Sequence, residues 1–192
     1  MLASCAPNPD ETTVQIVIET TQGDITLELY PEAAPLTATN FINHIEAGHF
    51  DESRFYRTVR EDNDRPNARI DVIQGGVDFD GLAGAEPIAH ERSDVTGLTH
   101  RRGAISMARD EPGTATTEYF IVINDGFILD AGPNGRHPDG EGFAVFGYVI
   151  DGMEVAEAIW QAPVGDENAP TGFETQWLNP PVGVIRIRVI GE

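Results

Sequence analysis

Between residues 14 and 30 apolar and polar positions alternate: Val14, Ile16 and Ile18, then Ile25, Leu27 and Leu29, with a polar break at Thr21-Gln22-Gly23-Asp24. A period of two marks strands with one buried face, and the glycine-containing break predicts a hairpin turn. The period then lengthens. Pro35 stands where a first helical turn tolerates proline, and Leu36, Phe41, Ile42 and Ile45 form a helical stripe that stops at Gly48. Three short apolar runs, 104–108, 119–123 and 143–150, are rich in β-branched or aromatic residues and bounded by Gly, Asp or Pro, so they predict buried strands. Gly152 opens a second helical stripe through Met153, Ala156, Ile159 and Trp160. The chain closes with Ile185, Ile187 and Val189 alternating with Arg186 and Arg188. Residues 60–69 form a polar loop, and residues 83–98 are turn-rich without a period. About eight short strands and two helices predict a closed barrel or a sandwich.

The 192 residues suit one domain with a sizeable core, and no apolar run is long enough to span a bilayer as a helix. We read residues 1–12 as a flexible tether and 13–192 as the folded domain. The net charge is −20, and every basic side chain apart from histidine is arginine. Such a surface repels nucleic-acid backbones, and no local basic patch offsets it. Cys5 is the only cysteine, so no intrachain disulfide forms. The tetrad Leu2-Ala3-Ser4-Cys5 resembles a bacterial lipobox, although the apolar leader expected before it is not present in the sequence. That resemblance implies lipidation of Cys5, a membrane tether, and a place in the bacterial cell envelope or periplasm. The alternatives are an ordinary N-terminus and a cytoplasmic location.

Familiar chemistries find little support. His44 and His49 are five apart across a helix end, which predicts different faces and no zinc site. Neither G-x-S-x-G nor a P-loop occurs. The many carboxylates form no specific pair of the glycosidase kind.

Six segments in order resemble the cyclophilin family of peptidyl-prolyl isomerases: Thr21–Leu29, Pro31–Phe41, Phe55-Tyr56-Arg57 with Ile73-Gln74-Gly75-Gly76, Arg102–Arg109, Tyr119-Phe120-Ile121, and Phe143–Gly147 through Gly152–Val155. The resemblance implies a mainly β fold, an eight-stranded antiparallel barrel capped by two α-helices, and catalysed rotation of Xaa-Pro bonds in unfolded or partly folded proteins. It implies Arg57 as the catalytic donor in an open groove, Gln74 as its partner or a substrate anchor, and Phe120 as the surest wall of the proline pocket. Val72, Met107, Ala108, Glu118, Ile128, Leu129 and Phe143 would complete the substrate site, with Ala108 offering backbone hydrogen bonds. For Met107, ordinary barrel core is the favoured alternative. No metal or cofactor is called for, since nothing is oxidised, transferred or hydrolysed. The partners are proline-containing segments, and a monomer is expected.

The chain also departs from the family's pattern. The spacer between Arg57 and Gln74 is longer and more polar, and the family's pocket phenylalanine falls at Asp71, where a buried carboxylate would be costly. Either Ile70 takes that apolar role or the wall is open. Glu118 stands where the family usually has glutamine, adding a charge that favours basic substrates or partly neutralises Arg57. Ile128 takes the place of the pocket tryptophan and Phe143 that of a histidine. The competing reading is a non-catalytic proline-peptide-binding module of the same fold, against which the presence of both Arg57 and Gln74 argues.

Overall fold

The computed structural model describes residues 12–167 and 169–191. Cys5 and all but the last residue of the expected tether lie outside the described residues. Eight strands, β1 (Val14–Thr20), β2 (Gly23–Leu29), β3 (Arg54–Val59), β4 (Val72–Gly76), β5 (Ala104–Met107), β6 (Tyr119–Val122), β7 (Ala144–Asp151) and β8 (Trp177–Val189), close into a barrel in the order β1-β2-β7-β5-β6-β4-β3-β8. Every pairing is antiparallel. The alternation that predicted the first hairpin places Ile16, Ile18, Ile25, Leu27 and Leu29 in the barrel core, fully shielded from water.

Helix α1 (Pro35–Glu46) packs against β7 and β8, and α3 (Met153–Trp160) against β2, β3 and β4. Phe41 of α1 meets the rings of Phe50, Tyr119 and Phe146 at 4.8, 5.3 and 5.0 Å. Trp160 of α3 donates its indole N–H to the Val59 carbonyl at 2.8 Å, tying that helix to β3. A third helix, the single turn α2 (Ser93–Thr96), adds to the two expected. Four residues are too few to leave a periodic stripe.

Three features depart from the sequence reading. Leu36 is half-exposed because Thr37, Ala38, Phe41 and Ile45 form the buried face of α1. The Glu91 carboxylate, accepting the Leu36 and Thr37 N–H groups at 3.1 and 2.7 Å, fixes that rotation and suits the positive end of the helix dipole. Ile185 is extruded by a register shift opposite Glu19 and Thr20, which breaks the period of two. His44 and His49, expected on different faces, approach to 2.8 Å between their Nδ1 atoms. Helix α1 ends in a Schellman turn: Gly48 takes a left-handed φ of 70°, and the His49 N–H donates to the His44 carbonyl. That turn brings the two side chains together. Burial, then the neighbouring ring, lowers the pKa of His44. Among the described residues no group of three His, Cys, Asp or Glu side chains converges as metal ligands.

Candidate active site

A cleft of about 450 Å³ opens beside strands β3, β4 and β6. Its floor begins with a bulge. Phe55 pairs with Gly75 while Arg57 pairs with the adjacent Gln74, leaving Tyr56 as the extra residue on β3. A regular strand would send Phe55 and Arg57 to the same face; the bulge re-aims Arg57. Phe55 thus fills the barrel and Arg57 enters the cleft. The two glycines after Gln74 have separate steric reasons. A Cβ on Gly75 would come within 2.8 Å of the Arg54 carbonyl oxygen and 2.9 Å of the Phe55 ring. One on Gly76, whose φ is 152°, would sit 2.2 Å from the Glu118 carboxylate.

Arg57 is held from two sides. Its Nη1 donates to Gln74 Oε1 at 2.7 Å and its Nε to Gln176 Oε1 at 2.8 Å. The ring of Phe173 covers the guanidinium, with Cζ 4.7 Å from the ring centroid. Arg57 is therefore half-buried rather than open, and burial pushes its pKa down to about 10, leaving it protonated at neutral pH. Among the described residues no carboxylate pairs with it, so its charge remains available. Of the five N–H donors of a guanidinium two are engaged, which leaves three for a ligand.

The neighbouring wall is apolar. Phe120 lies parallel to the buried His100 ring, with centroids 5.9 Å apart, and meets Phe143 edge-on at 5.5 Å. His100 is fixed by Asp130 Oδ1 at 2.6 Å from Nδ1 and by Ser106 Oγ at 3.0 Å from Nε2. This chain has the bonding order of a hydrolase triad, but Ser106 is fully buried and away from the cleft. It braces the Phe120 platform instead. Burial, opposed by Asp130, lowers the His100 pKa.

Residues far apart in sequence complete that wall. Asp64 and Arg136 form a bidentate ion pair at 2.7 and 2.8 Å, with side chains 1% and 7% exposed. Arg136 also donates to the Ala68 carbonyl, and Asp64 accepts the Ile70 N–H at 2.9 Å. The long spacer is thereby clamped so that Ile70 lines the cleft. Asp71 does not line it: its carboxylate accepts the Asn124 amide at 2.8 Å. The apolar role expected at the pocket phenylalanine's place thus falls to Ile70.

Arg57, Val72, Gln74, Ala108, Glu118, Phe120, Leu129 and Phe143 all border this one cleft. Two expected residues do not. Met107 is 1% exposed in the barrel core, because it lies on an inward position of β5. Ile128 sits in a 3₁₀ turn (Phe127–Leu129) whose Leu129 faces the cleft while Ile128 borders a separate hollow with Phe127 and Pro133. Ala108 borders the cleft, yet its N–H is already given to the Glu118 carbonyl at 2.8 Å, so it is not free for substrate. Glu118 is buried and makes no ion pair with Arg57, so the expected partial neutralisation does not occur by direct contact. Gln176, Phe173 and Tyr56 are the partners the sequence reading missed; no local pattern links the first two to Arg57 across more than a hundred residues.

Residues 14–188 match the family described as cyclophilin type peptidyl-prolyl cis-trans isomerase/CLD. A peptidyl-prolyl cis-trans isomerase of Acinetobacter baylyi is 32% identical over 178 residues, covering 91% of this chain and 84% of its own. Peptidyl-prolyl cis-trans isomerase B of Escherichia coli is 32% identical over 148 residues, covering 75% and 82%. In fold, the chain is similar to a cyclophilin type isomerase of Cryptosporidium parvum, with a TM-score of 0.72 at 21% identity over 94% of this chain and 99% of that one. The same protein has been solved in the presence of the dipeptide Ala-Pro, and that structure matches with a TM-score of 0.71 at 20% identity over 93% of this chain and 99% of the other. The bulged Phe-Tyr-Arg strand, the Gln-Gly-Gly strand beside it and the barrel that carries them leave one conclusion: this chain belongs to the cyclophilin-type peptidyl-prolyl cis-trans isomerases.

Proposed function

We propose that the cleft binds extended Xaa-Pro segments of unfolded or partly folded polypeptides and that Arg57 performs the catalytic step. Amide resonance sets a barrier of about 20 kcal/mol to rotation of an Xaa-Pro bond. As the bond twists, the proline nitrogen pyramidalises and its lone pair becomes a hydrogen-bond acceptor. A fixed N–H aimed at that nitrogen stabilises the twisted state more than the planar one, and only such differential binding accelerates the step. Arg57 suits this role because its charge persists at working pH and its fork is held by Gln74 and Gln176. The apolar wall of Val72, Phe120, Leu129, Phe143 and Ile70 takes the proline ring beside it.

The uncompensated, clamped Arg57 is the single observation that carries this reading over a passive peptide-binding module. Binding alone would not require a half-buried cation without a carboxylate partner. The test is the exchange rate of a short Ala-Pro peptide with the wild-type chain and with Arg57→Ala. We expect acceleration by the former and a loss of about a hundredfold or more in the latter. Equal rates in two well-folded proteins would refute the assignment.

The Leu2-Ala3-Ser4-Cys5 tetrad supports a location in the bacterial cell envelope with a tether through Cys5, where the isomerase would assist the folding of exported chains. Stable anchoring would need more than one acyl chain. Mass spectrometry of protein taken from its own host should find Cys5 acylated; unmodified Cys5 with Met1 retained would contradict the tether.

A further inference from the structure

Beneath Arg57 lies a chain of hydrogen bonds that reaches a buried acid. Gln74 Oε1 accepts from Arg57, Gln74 Nε2 donates to the Tyr56 hydroxyl at 3.0 Å, and that hydroxyl donates to Glu118 Oε2. Each residue is buried or half-buried, and Tyr56 is further fixed by the Trp177 ring at 4.8 Å. The absence of a side chain at Gly76 makes room for the carboxylate. We propose that Tyr56 and Glu118 are positioning residues that set the direction of this relay, so that isomerisation depends on the ionisation of Glu118. The proposal rests on the isomerase reading of the site.

The direction follows from what each group can offer. An ionised carboxylate only accepts, so Tyr56 must give it its single proton. The phenol oxygen then accepts from the Gln74 amide nitrogen, and the amide oxygen is left facing Arg57. Protonation reverses the order. The other carboxylate oxygen, Oε1, faces the Asp78 backbone N–H at 3.2 Å and the Thr117 hydroxyl at 3.3 Å. A backbone donor cannot turn away, so the added proton takes Oε2 and points at Tyr56. Tyr56 then accepts from Glu118 and donates to Gln74, whose amide must turn its oxygen to the phenol. Its NH₂ would now confront the Arg57 Nη1, two donors facing each other, and the bond that aims the guanidinium is lost.

The charged and titratable groups around Glu118 are Tyr56 and, beyond Gln74, Arg57 on β3, Tyr119 directly after it at the start of β6, Asp78 after β4, and Asp80 and Asp110 on the same cleft. The Asp78 carboxylate turns outward, 3.6 Å from Arg54. Arg109, also on the cleft, is engaged by Asp139 and the Gly142 carbonyl. Among the described residues no cation pairs with Glu118, and burial pushes its pKa up to about 7 against the hydrogen bonds it accepts, which places the switch within ordinary working conditions.

The experiment measures kcat and KM for an Ala-Pro peptide between pH 6 and 8, with 15N chemical shifts of the Gln74 side-chain amide followed in parallel. Wild type should lose about tenfold in kcat from pH 8 to pH 6, as expected for one ionisation near the middle of that range. Glu118→Gln, an isostere of the neutral acid whose oxygen takes the Asp78 N–H and whose NH₂ then faces Tyr56, should hold the reversed relay at every pH, with kcat at least about tenfold below the wild-type rate at pH 8 and a flat profile. Tyr56→Phe should be about tenfold slower in kcat at pH 8 with little change in KM, and also flat. A flat wild-type profile, or a wild-type slope surviving in Glu118→Gln, would overturn the proposal. The Gln74 shifts separate the two levels. If they titrate in wild type and not in Glu118→Gln while no isomerisation occurs at any pH, the relay stands and the isomerase reading fails. If isomerisation occurs but the shifts do not titrate, the relay fails alone.

Discussion

The two halves of the cleft are built differently. The Arg57 half stands on adjacent barrel strands, with Arg57 on β3, Gln74 on β4 and Phe120 on β6, where ladder hydrogen bonds fix the backbone. The opposite half uses loops. Ile70 closes a long polar spacer, and Leu129 and Phe143 flank the segment that contains Arg136. What holds those loops is the Asp64–Arg136 pair rather than a sheet. Chemistry is thus placed on the rigid part and substrate fit on the adjustable part. Aim should be sensitive to single atoms near Arg57, and fit should depend on whether the loop clamp survives.

The largest expected effect breaks the clamp. Asp64→Ala leaves Arg136 buried without its partner, and breaking such a pair costs about 3–5 kcal/mol. Denaturant unfolding should register that loss, and KM for proline peptides should rise because Ile70 is no longer held. An unchanged KM in a folded variant would mean that the loop half is rigid on its own.

The next effect concerns the strand half. Glu118 has a folded pKa above its unfolded one, so the native state prefers it protonated. Its contribution is fully present in acid and is lost as pH rises through about 7. Glu118→Gln mimics the neutral acid, so it should stabilise the protein by up to about 3 kcal/mol at pH 8 and by little near pH 4. Thermal unfolding at the two pH values checks the sign; a larger gain in acid would contradict it.

The smallest effect sharpens the boundary between the halves. Ile128→Ala should change kcat/KM less than about twofold, since Ile128 faces another hollow, whereas Ile70→Ala should raise KM several-fold. Equal effects would move the wall back to Ile128.

The same contrast governs what the sequence reveals. The first hairpin and helices α1 and α3 follow from periods of two and of 3.6, and the motif around Arg57, Gln74 and Phe120 is local to three strands that pair directly. The loop half is set by contacts between distant residues. Asp64 meets Arg136 across 72 positions and Arg57 meets Gln176 across 119, and nothing in either neighbourhood announces its partner. Ile128 and Leu129 are adjacent, and only the geometry of the turn decides which faces the cleft. The His44–His49 contact is different in kind. Gly48 as a helix stop predicts the Schellman turn that folds His49 onto His44, so that contact was readable once the helix end was treated as a turn rather than a change of face.

The central claim is that Arg57 catalyses by aim as well as by charge. Lysine at this position keeps the charge but loses the planar fork that Gln74 and Gln176 grip from two sides. The exchange rate of an Ala-Pro peptide should therefore fall at least tenfold in a folded Arg57→Lys variant, with most of the loss in kcat. A rate equal to wild type would show that a cation anywhere near the proline suffices, and would contradict the account.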